Sequence, residues 1–214
     1  MVEKKELSID VTPEQVDILT ELINIGMGRA ASSLNNLLDS FITLQIPKIW
    51  VFSTASAPEE LQKFGNTPLF VVKQFFNGAF SGKVALLFPP ESAETLVCSV
   101  TDEDKNSPNF KELKFATLCE IGNILINGVI GSICNVLEEQ VEFTLPEHQE
   151  CPFPILFSQF VLGSTTNVIL MAKTCFIIEE LKIEGHLLLA LDNKTFCNLM
   201  SGIDALEKKE NGGI

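Results

Sequence analysis

The sequence has few of the side chains on which metal-based or nucleophilic active sites depend. It contains two histidines and six cysteines, and the cysteines form no CxxC pair. Zinc sites usually need four closely spaced ligands of this kind, so we expect no metal site in this chain. The cysteines are expected in the core as small apolar residues. No Gly-x-Ser-x-Gly turn and no Gly-Lys-Ser/Thr phosphate loop occurs either.

Basic residues are also scarce. The chain carries 15 lysines and arginines against 28 acidic residues, a formal net charge of −13. Binding to a phosphate backbone needs a surplus of basic groups, so nucleic acid is not an expected partner. The first ten residues are charged, and the apolar runs are interrupted before they reach the length of a membrane span. The sequence therefore predicts a cytoplasmic protein that does not insert into membranes.

Clear helix and strand signals are present. Thr12-Pro13-Glu14-Gln15 has the residues of a capping box, and helical spacing of apolar side chains predicts a helix from about Pro13 to about Leu38. Strand-like segments follow at 41–52 and 82–88, and then a short helix at 91–100. After a polar connection at 102–109, a second long helix is predicted from Phe110 to about Glu139.

The sequence contains an internal repeat. A shift of 99 residues superposes Glu21 on Glu120, Asn24 on Asn123 and Pro47 on Pro146. Further on, Lys83 to Pro89 matches Gly185 to Asp192, each followed by a helical segment. Two units this small would bury their faces best by sharing one sheet. We therefore predict one α+β domain over 1–206 with a shared antiparallel sheet and a pseudo-twofold axis. Its repeats are about 12–107 and 108–206, and 207–214 is expected to be a disordered tail.

Each long helix carries a polar ridge. On the first helix Asp17, Glu21 and Asn24 fall on one stripe, with Gly28 a turn further along. On the second, Glu120, Asn123 and Asn127 form a similar ridge. Such pairs on an exposed helix usually only meet water, and repetition could be a relic of duplication. The recurrence of both pairs at the same distance from a proline nevertheless favours a function.

These residues resemble the signature of the CheC-type chemotaxis phosphatases, which runs Asp/Ser, three residues, Glu, two residues, Asn, twenty-two residues, Pro. Asp17, Glu21, Asn24 and Pro47 fit the whole pattern. Glu120, Asn123 and Pro146 fit all but its first position, where Ala116 stands. A spaced motif found twice in register is much more specific than one short match.

The resemblance implies hydrolysis of the aspartyl-phosphate on a CheY-like receiver domain, whose own Mg²⁺ sits at the phosphate. It gives Glu21 and Glu120 the role of anchoring the receiver, and Asn24 and Asn123 that of orienting the attacking water. Asp17, Gly28 and Asn127 would add partner contacts, and Pro47 and Pro146 would shape strand ends.

Two other functions stay open. The first is a non-catalytic adaptor that binds receivers or a CheD-type deamidase. The second, a FliY-type switch component, is less favoured because such proteins carry a further domain. A monomer is expected, because both motifs lie on one chain.

Overall fold

The computed structural model describes residues 11–38, 41–53, 64–78, 81–161, 166–178 and 181–211, which form five helices and seven strands. The helices are α1 (Pro13–Leu38), α2 (Pro90–Thr101), α3 (Phe110–Leu137), α4 (Phe153–Val161) and α5 (Asn193–Asn211). The strands are β1 (Ile42–Ser53), β2 (Pro68–Gly78), β3 (Gly82–Phe88), β4 (Val141–Phe143), β5 (Glu147–Pro152), β6 (Thr166–Ile178) and β7 (Leu181–Asp192).

Helix α1 begins with the predicted capping box. The backbone N–H of Gln15 donates to Thr12 Oγ1 at 3.2 Å, and the backbone N–H of Thr12 donates to Gln15 Oε1 at 3.0 Å. These two bonds satisfy N–H groups that a helix start otherwise leaves without partners. The helix bounds agree with the prediction, and Gln15 Nε2 also donates to Asp204 Oδ1 on α5 at 2.8 Å.

All strands belong to one antiparallel sheet. Its order is β1-β6-β7-β3-β2, with β4 and β5 both pairing with β2 at the far edge. The central pair, β3 and β7, joins corresponding strands of the two repeats. The first strand of each repeat pairs with the second strand of the other, so the repeats exchange edges around a pseudo-twofold axis. The predicted α+β class and shared antiparallel sheet are confirmed.

The sheet buries a core on each face. Helices α1 and α3 lie against each other and against the larger core, which includes Ile23, Leu34, Leu125 and Ile130. The opposite face has a smaller core around Leu69, Leu87 and Leu188, covered by α4 through Phe153, Leu156 and Phe160. The motif-bearing helices therefore form an outer layer whose other side is free to meet solvent.

The matched segments Lys83–Pro89 and Gly185–Asp192 contain seven and eight residues, so the sequence match leaves open whether Val84 corresponds to His186 or to Leu187. Val84 faces the helices, whereas His186 faces the smaller core, where its ring meets Phe64 edge-on. Equivalent strand residues must lie on the same face, because side chains alternate along a strand. A run of similar apolar residues cannot reveal its own register.

Helix α5 continues further than predicted. It extends to Asn211, so residues 207–211 of the expected disordered tail are helical, and only 212–214 lie outside the described residues. Glu and Lys are good helix formers even without an apolar stripe, which allows a helix already started by packed residues to continue.

One helix is long and apolar enough to be a candidate membrane span, although none was predicted from the sequence. The segment Phe110–Val136 of α3 could cross a membrane by length and composition, contrary to the expectation that no run was long enough. More than half of its most apolar window is buried within the protein, against α1 and the sheet. The helix is apolar because it is covered on several sides.

Candidate functional site

The two polar ridges lie on the solvent side of α1 and α3. Glu21 and Glu120 are exposed, and Asn24 and Asn123 one turn later are partly buried. A helix places residues three apart on the same face, so each carboxylate stands beside its carboxamide at the surface. Both pairs therefore lie at the surface, and their roles in docking and catalysis stay predictions.

Asn123 is held by two neighbouring amides. Its Oδ1 accepts a hydrogen bond from Gln74 Nε2 at 3.2 Å and one from Asn127 Nδ2 at 3.0 Å. An amide oxygen has two acceptor positions, and both are therefore used. The nitrogen of Asn123 is the part of the group left to bind a water or another ligand.

Gln74 approaches Asn123 from the sheet beneath α3. It lies in β2, is only 2% exposed, and also donates from Nε2 to the backbone oxygen of Thr144 at 3.0 Å. Its Oε1 is buried without a hydrogen-bond partner among the described residues. Asn123 is thus tied through one buried side chain to the segment that links β4 and β5.

The first site lacks this support. The residue of β6 that corresponds to Gln74 is Thr174, which is fully buried and faces the same core. No described residue forms a hydrogen bond with its Oγ1. Within the described part of the chain, no hydrogen bond holds the side-chain amide of Asn24. The two sites share their sequence motif but differ in how firmly the amide is fixed.

The motif prolines lie at irregular points in the sheet. The register of β1 against β6 shifts between Gln45 and Lys48, so that Ile46 and Pro47 stand against the single residue Thr174. The prediction that Pro47 ends a strand is therefore wrong, since β1 continues to Ser53. Proline cannot donate to a strand ladder and is tolerated at a bulge, where the ladder is already interrupted.

Pro146 occupies the corresponding place in the second half. Residues 144–146 separate β4 from β5 and stand against two residues of β2, Gln74 and Phe75, which again leaves one residue in excess. Thr144 closes this bulge by donating its N–H to the oxygen of Phe75 and accepting the N–H of Phe75 at its Oγ1. Each proline bulge thus stands against a buried polar residue of the neighbouring strand, Thr174 in the first half and Gln74 in the second.

A groove of about 260 Å³ runs between the two helices next to the second site. It is lined by Asn123, Asn127 and Gly128 of α3 and by Arg29 and Ser33 of α1, among others. Arg29 is the chain's one arginine and is exposed. No described residue forms an ion pair with its guanidinium. The groove therefore combines a cation with amide groups, a chemistry suited to anionic ligands.

The helix glycines divide into two groups. Gly26 and Gly128 contact each other, and a Cβ on Gly122 would lie 2.7 Å from Val72, so these three allow close packing within the chain. Gly28 is exposed, and a Cβ added there would meet no described residue outside its own helix segment within 4 Å; its contact with a partner stays a prediction. Asn127 donates one hydrogen bond from Nδ2 to Asn123, and its predicted contact with a partner stays a prediction. Asp17 is exposed at the start of the first ridge.

The histidines and cysteines do not form a second site. Among the described residues no group of three His, Cys, Asp or Glu side chains could hold a metal ion. His148 is an exposed residue of β5, paired with Val72. Burial raises the pKa of Cys134 to about 11, as expected for a core thiol. Cys197 is exposed, so the prediction that every cysteine is buried is wrong.

Gln74 is the residue that the sequence motif did not reveal. A signal was present, because one polar residue interrupts the run from Leu69 to Phe76 at a position that should face the core. Lys73, the neighbouring polar residue, faces the other way and is partly exposed. A buried glutamine needs hydrogen-bond partners, so its position alone would have justified a search for them.

Comparison with known proteins supports the resemblance in both sequence and fold. No protein-family model matches the chain. The CheY-P phosphatase CheC of Bacillus subtilis is 26% identical over 143 residues, which cover 64% of this chain and 66%, just under two thirds, of that protein.

Three solved structures illustrate the fold. FliY of Thermotoga maritima has a TM-score of 0.69 at 17% identity, covering 91% of this chain and 98% of that one. The FliM middle domain of H. pylori has 0.57 at 13%, covering 90% and 99%. CheX of Desulfovibrio desulfuricans has 0.52 at 9%, covering 80% and 99%. At such identities these structures speak for the fold alone.

Proposed function

We propose, from the confirmed resemblance of this chain to CheC-type proteins, that it is a phosphatase acting on the aspartyl-phosphate of a CheY-like receiver domain. The observation that carries the proposal is the pair of surface sites, each with an exposed glutamate one turn before a carboxamide. The likeness to a relative named as a CheY-P phosphatase supports the same function.

The chemistry asks little of this chain. An aspartyl-phosphate is an activated acyl phosphate, and the receiver brings the Mg²⁺ that neutralises its oxygens. The missing element is a water molecule held in line with the bond that breaks. A carboxamide on a rigid helix can supply this, because holding a reactant in place removes much of the entropic barrier.

Each side chain of a pair has its own task. Glu21 and Glu120 are exposed carboxylates that can pair with a lysine at the receiver's phosphate site and so fix the docking register. Asn24 and Asn123 then lie one turn further along, next to the phosphoryl group. At Asn123 the oxygen is already occupied, so the amide nitrogen would hold the water by donating to it.

The expected setting follows from this chemistry. The substrate is the phosphorylated receiver, a CheD-type deamidase is a second candidate partner, and the protein works in the cytoplasm as a monomer. No cofactor of its own takes part. Asp17 and Gly28 lie on the ridge of the first site and would contact the receiver there.

A non-catalytic adaptor is the second candidate. The same fold occurs in FliM and FliY, whose names do not describe phosphatases, so the fold by itself does not select catalysis. The retained Glu–Asn pairs favour the enzyme, because an adaptor would have no need of two water-positioning amides.

The deciding experiment measures loss of phosphate from a CheY-like receiver labelled with a small phosphodonor, with and without this protein. We expect faster loss with the protein, and a fall of about a hundredfold in the Asn24→Ala/Asn123→Ala double variant. The matched control is Asn36→Ala/Asn135→Ala, which removes two exposed amides from the same helices outside the motif. Binding of the receiver without faster loss of its phosphate would favour the adaptor function over the phosphatase.

A further inference from the structure

We infer that Gln74 is a positioning residue of the second site, so that Asn123 is prepared for catalysis before the receiver docks and Asn24 is not. This inference rests on the proposed phosphatase function and makes it more specific. The two sites share one motif but would differ in activity, because only Asn123 is held by a residue of the underlying sheet.

The first observation is that a glutamine at position 74 is unfavourable for the stability of the fold. Its neighbours on this face of the sheet, Val72, Phe76 and Val84, are fully buried and apolar. Its Oε1 has no hydrogen-bond partner in the described part of the chain, and a buried polar atom without a partner disfavours folding. An apolar residue here would remove that penalty, so the glutamine has to be explained by what its nitrogen does.

The nitrogen makes two hydrogen bonds, and only one of them serves the fold. The bond to the backbone oxygen of Thr144 holds the bulge at Pro146, where Thr144 itself is exposed. The matching bulge at Pro47 stands against Thr174, which offers no comparable reach. A proline bulge therefore forms in this sheet without a glutamine. What the second half gains is the bond to Asn123 Oδ1.

That bond settles the orientation of the carboxamide. With Gln74 and Asn127 both donating to the oxygen, a flip of the Asn123 amide would set N–H groups against N–H groups. The nitrogen is therefore directed to whatever binds at the site. Asn24 has no such constraint among the described residues and must be ordered when the receiver docks, at an entropic cost.

The charge around the second site agrees with a catalytic role. The groove beside Asn123 contains Arg29 from the other half of the chain, whereas residue 128, the counterpart of Arg29 at the same spacing of 99, is a glycine. A cation near the phosphoryl oxygens favours the developing negative charge. The sequence motif is weaker in the second half, at Ala116, but the surroundings of its amide are better prepared.

The test isolates one site at a time in the full-length protein. In the Asn24→Ala background only the second site remains, and there Gln74→Leu is expected to lower kcat for receiver dephosphorylation about tenfold. The KM for the receiver should change by less than about twofold, because Glu120 and the docking surface are untouched. Gln74→Met, which keeps an unbranched side chain of similar length but has no N–H to donate, should lower kcat similarly.

The double-mutant cycle supplies the specificity. In the Asn123→Ala background, where the first site remains, substituting Gln74 should not lower kcat further. A general effect on folding would instead lower activity in both the Asn24→Ala and the Asn123→Ala backgrounds. Equal losses in the two backgrounds, or an unchanged kcat in the Asn24→Ala background, would overturn the positioning role and leave the phosphatase standing. An Asn24→Ala protein without activity would overturn the ranking of the two sites. Wild-type protein without activity would instead overturn the proposed function.

Discussion

Gly26 of α1 and Gly128 of α3 touch backbone to backbone where the two motif helices cross. A Cβ on Gly26 would lie 2.6 Å from the carbonyl oxygen of Gly128, and one on Gly128 would lie 2.7 Å from that of Gly26. These distances leave no room for any side chain at either position. The crossing lies between the two Glu–Asn pairs, so it sets their distance from each other.

The first prediction concerns this crossing. Gly26→Ala should lower the free energy of unfolding by about 1–3 kcal/mol, because the added methyl group pushes the helices apart in a packed interior. The matched control is Gly131→Ala on α3, where the new Cβ would meet no described residue outside its own helix segment within 4 Å. That variant should be more stable by up to about 1 kcal/mol through helix propensity. Urea unfolding measures both, and a Gly26→Ala protein as stable as its control would contradict the contact.

The second prediction restores the missing motif position. Ala116 is exposed on α3, one turn before Glu120, where the first helix has Asp17. Ala116→Asp should lower the KM for the receiver about two- to threefold with kcat unchanged, because an exposed charge adds modestly to docking. Asp17→Ala should raise KM by a similar factor. Steady-state kinetics at two salt concentrations checks this, and a change confined to kcat would argue against a docking role.

The third prediction concerns the anchoring glutamates. Replacing Glu21 and Glu120 together by glutamine should raise the KM more than it lowers kcat, because the charges hold the receiver in register while the amides that place the water remain. Activity of the variant should also respond less to added salt, since exposed ion pairs are screened. The control is Glu91→Gln/Glu94→Gln on α2, away from both ridges. A lower kcat at unchanged KM would indicate that the glutamates act in the chemical step and not in docking.

The fourth prediction is a pH dependence of stability that arises at His186. Burial lowers the pKa of this imidazole from 6.5 to about 4; Lys173 acts in the same direction and Glu184 opposes it. Above pH 6.5 the folded and unfolded chains both hold it neutral. Between 6.5 and 4 the unfolded chain binds a proton that the folded chain does not, so stability falls by about 3 kcal/mol in total as the pH is lowered.

Comparison with His186→Leu isolates this contribution. The variant keeps an apolar side chain against Phe64 and has no group to protonate, so its stability should fall less between pH 6.5 and pH 4. Urea unfolding at several pH values gives the difference. Parallel curves for the two proteins would show that His186 is protonated without cost in the folded state.

Local chemistry determined much of this protein. The capping box at Thr12 and Gln15, the bounds of α1 and the strand at 82–88 depend on neighbouring residues and could be predicted from them. The repeat and the motif required only spacing, so the α+β class and the positions of Glu21, Asn24, Glu120 and Asn123 on two long helices were also within reach. The roles of those residues stay predictions.

Tertiary structure decided how the two sites differ. The motif treats Asn24 and Asn123 alike, and by sequence the second site is the poorer one because of Ala116. Gln74 lies 49 residues from Asn123 and reaches it only because the repeats exchange edges and bring β2 beneath α3. The register of β3 against β7 and the packing of Gly26 on Gly128 were hidden for the same reason. Hydrogen bonds and close contacts between distant segments depend on the relative placement of whole elements, which no local pattern encodes.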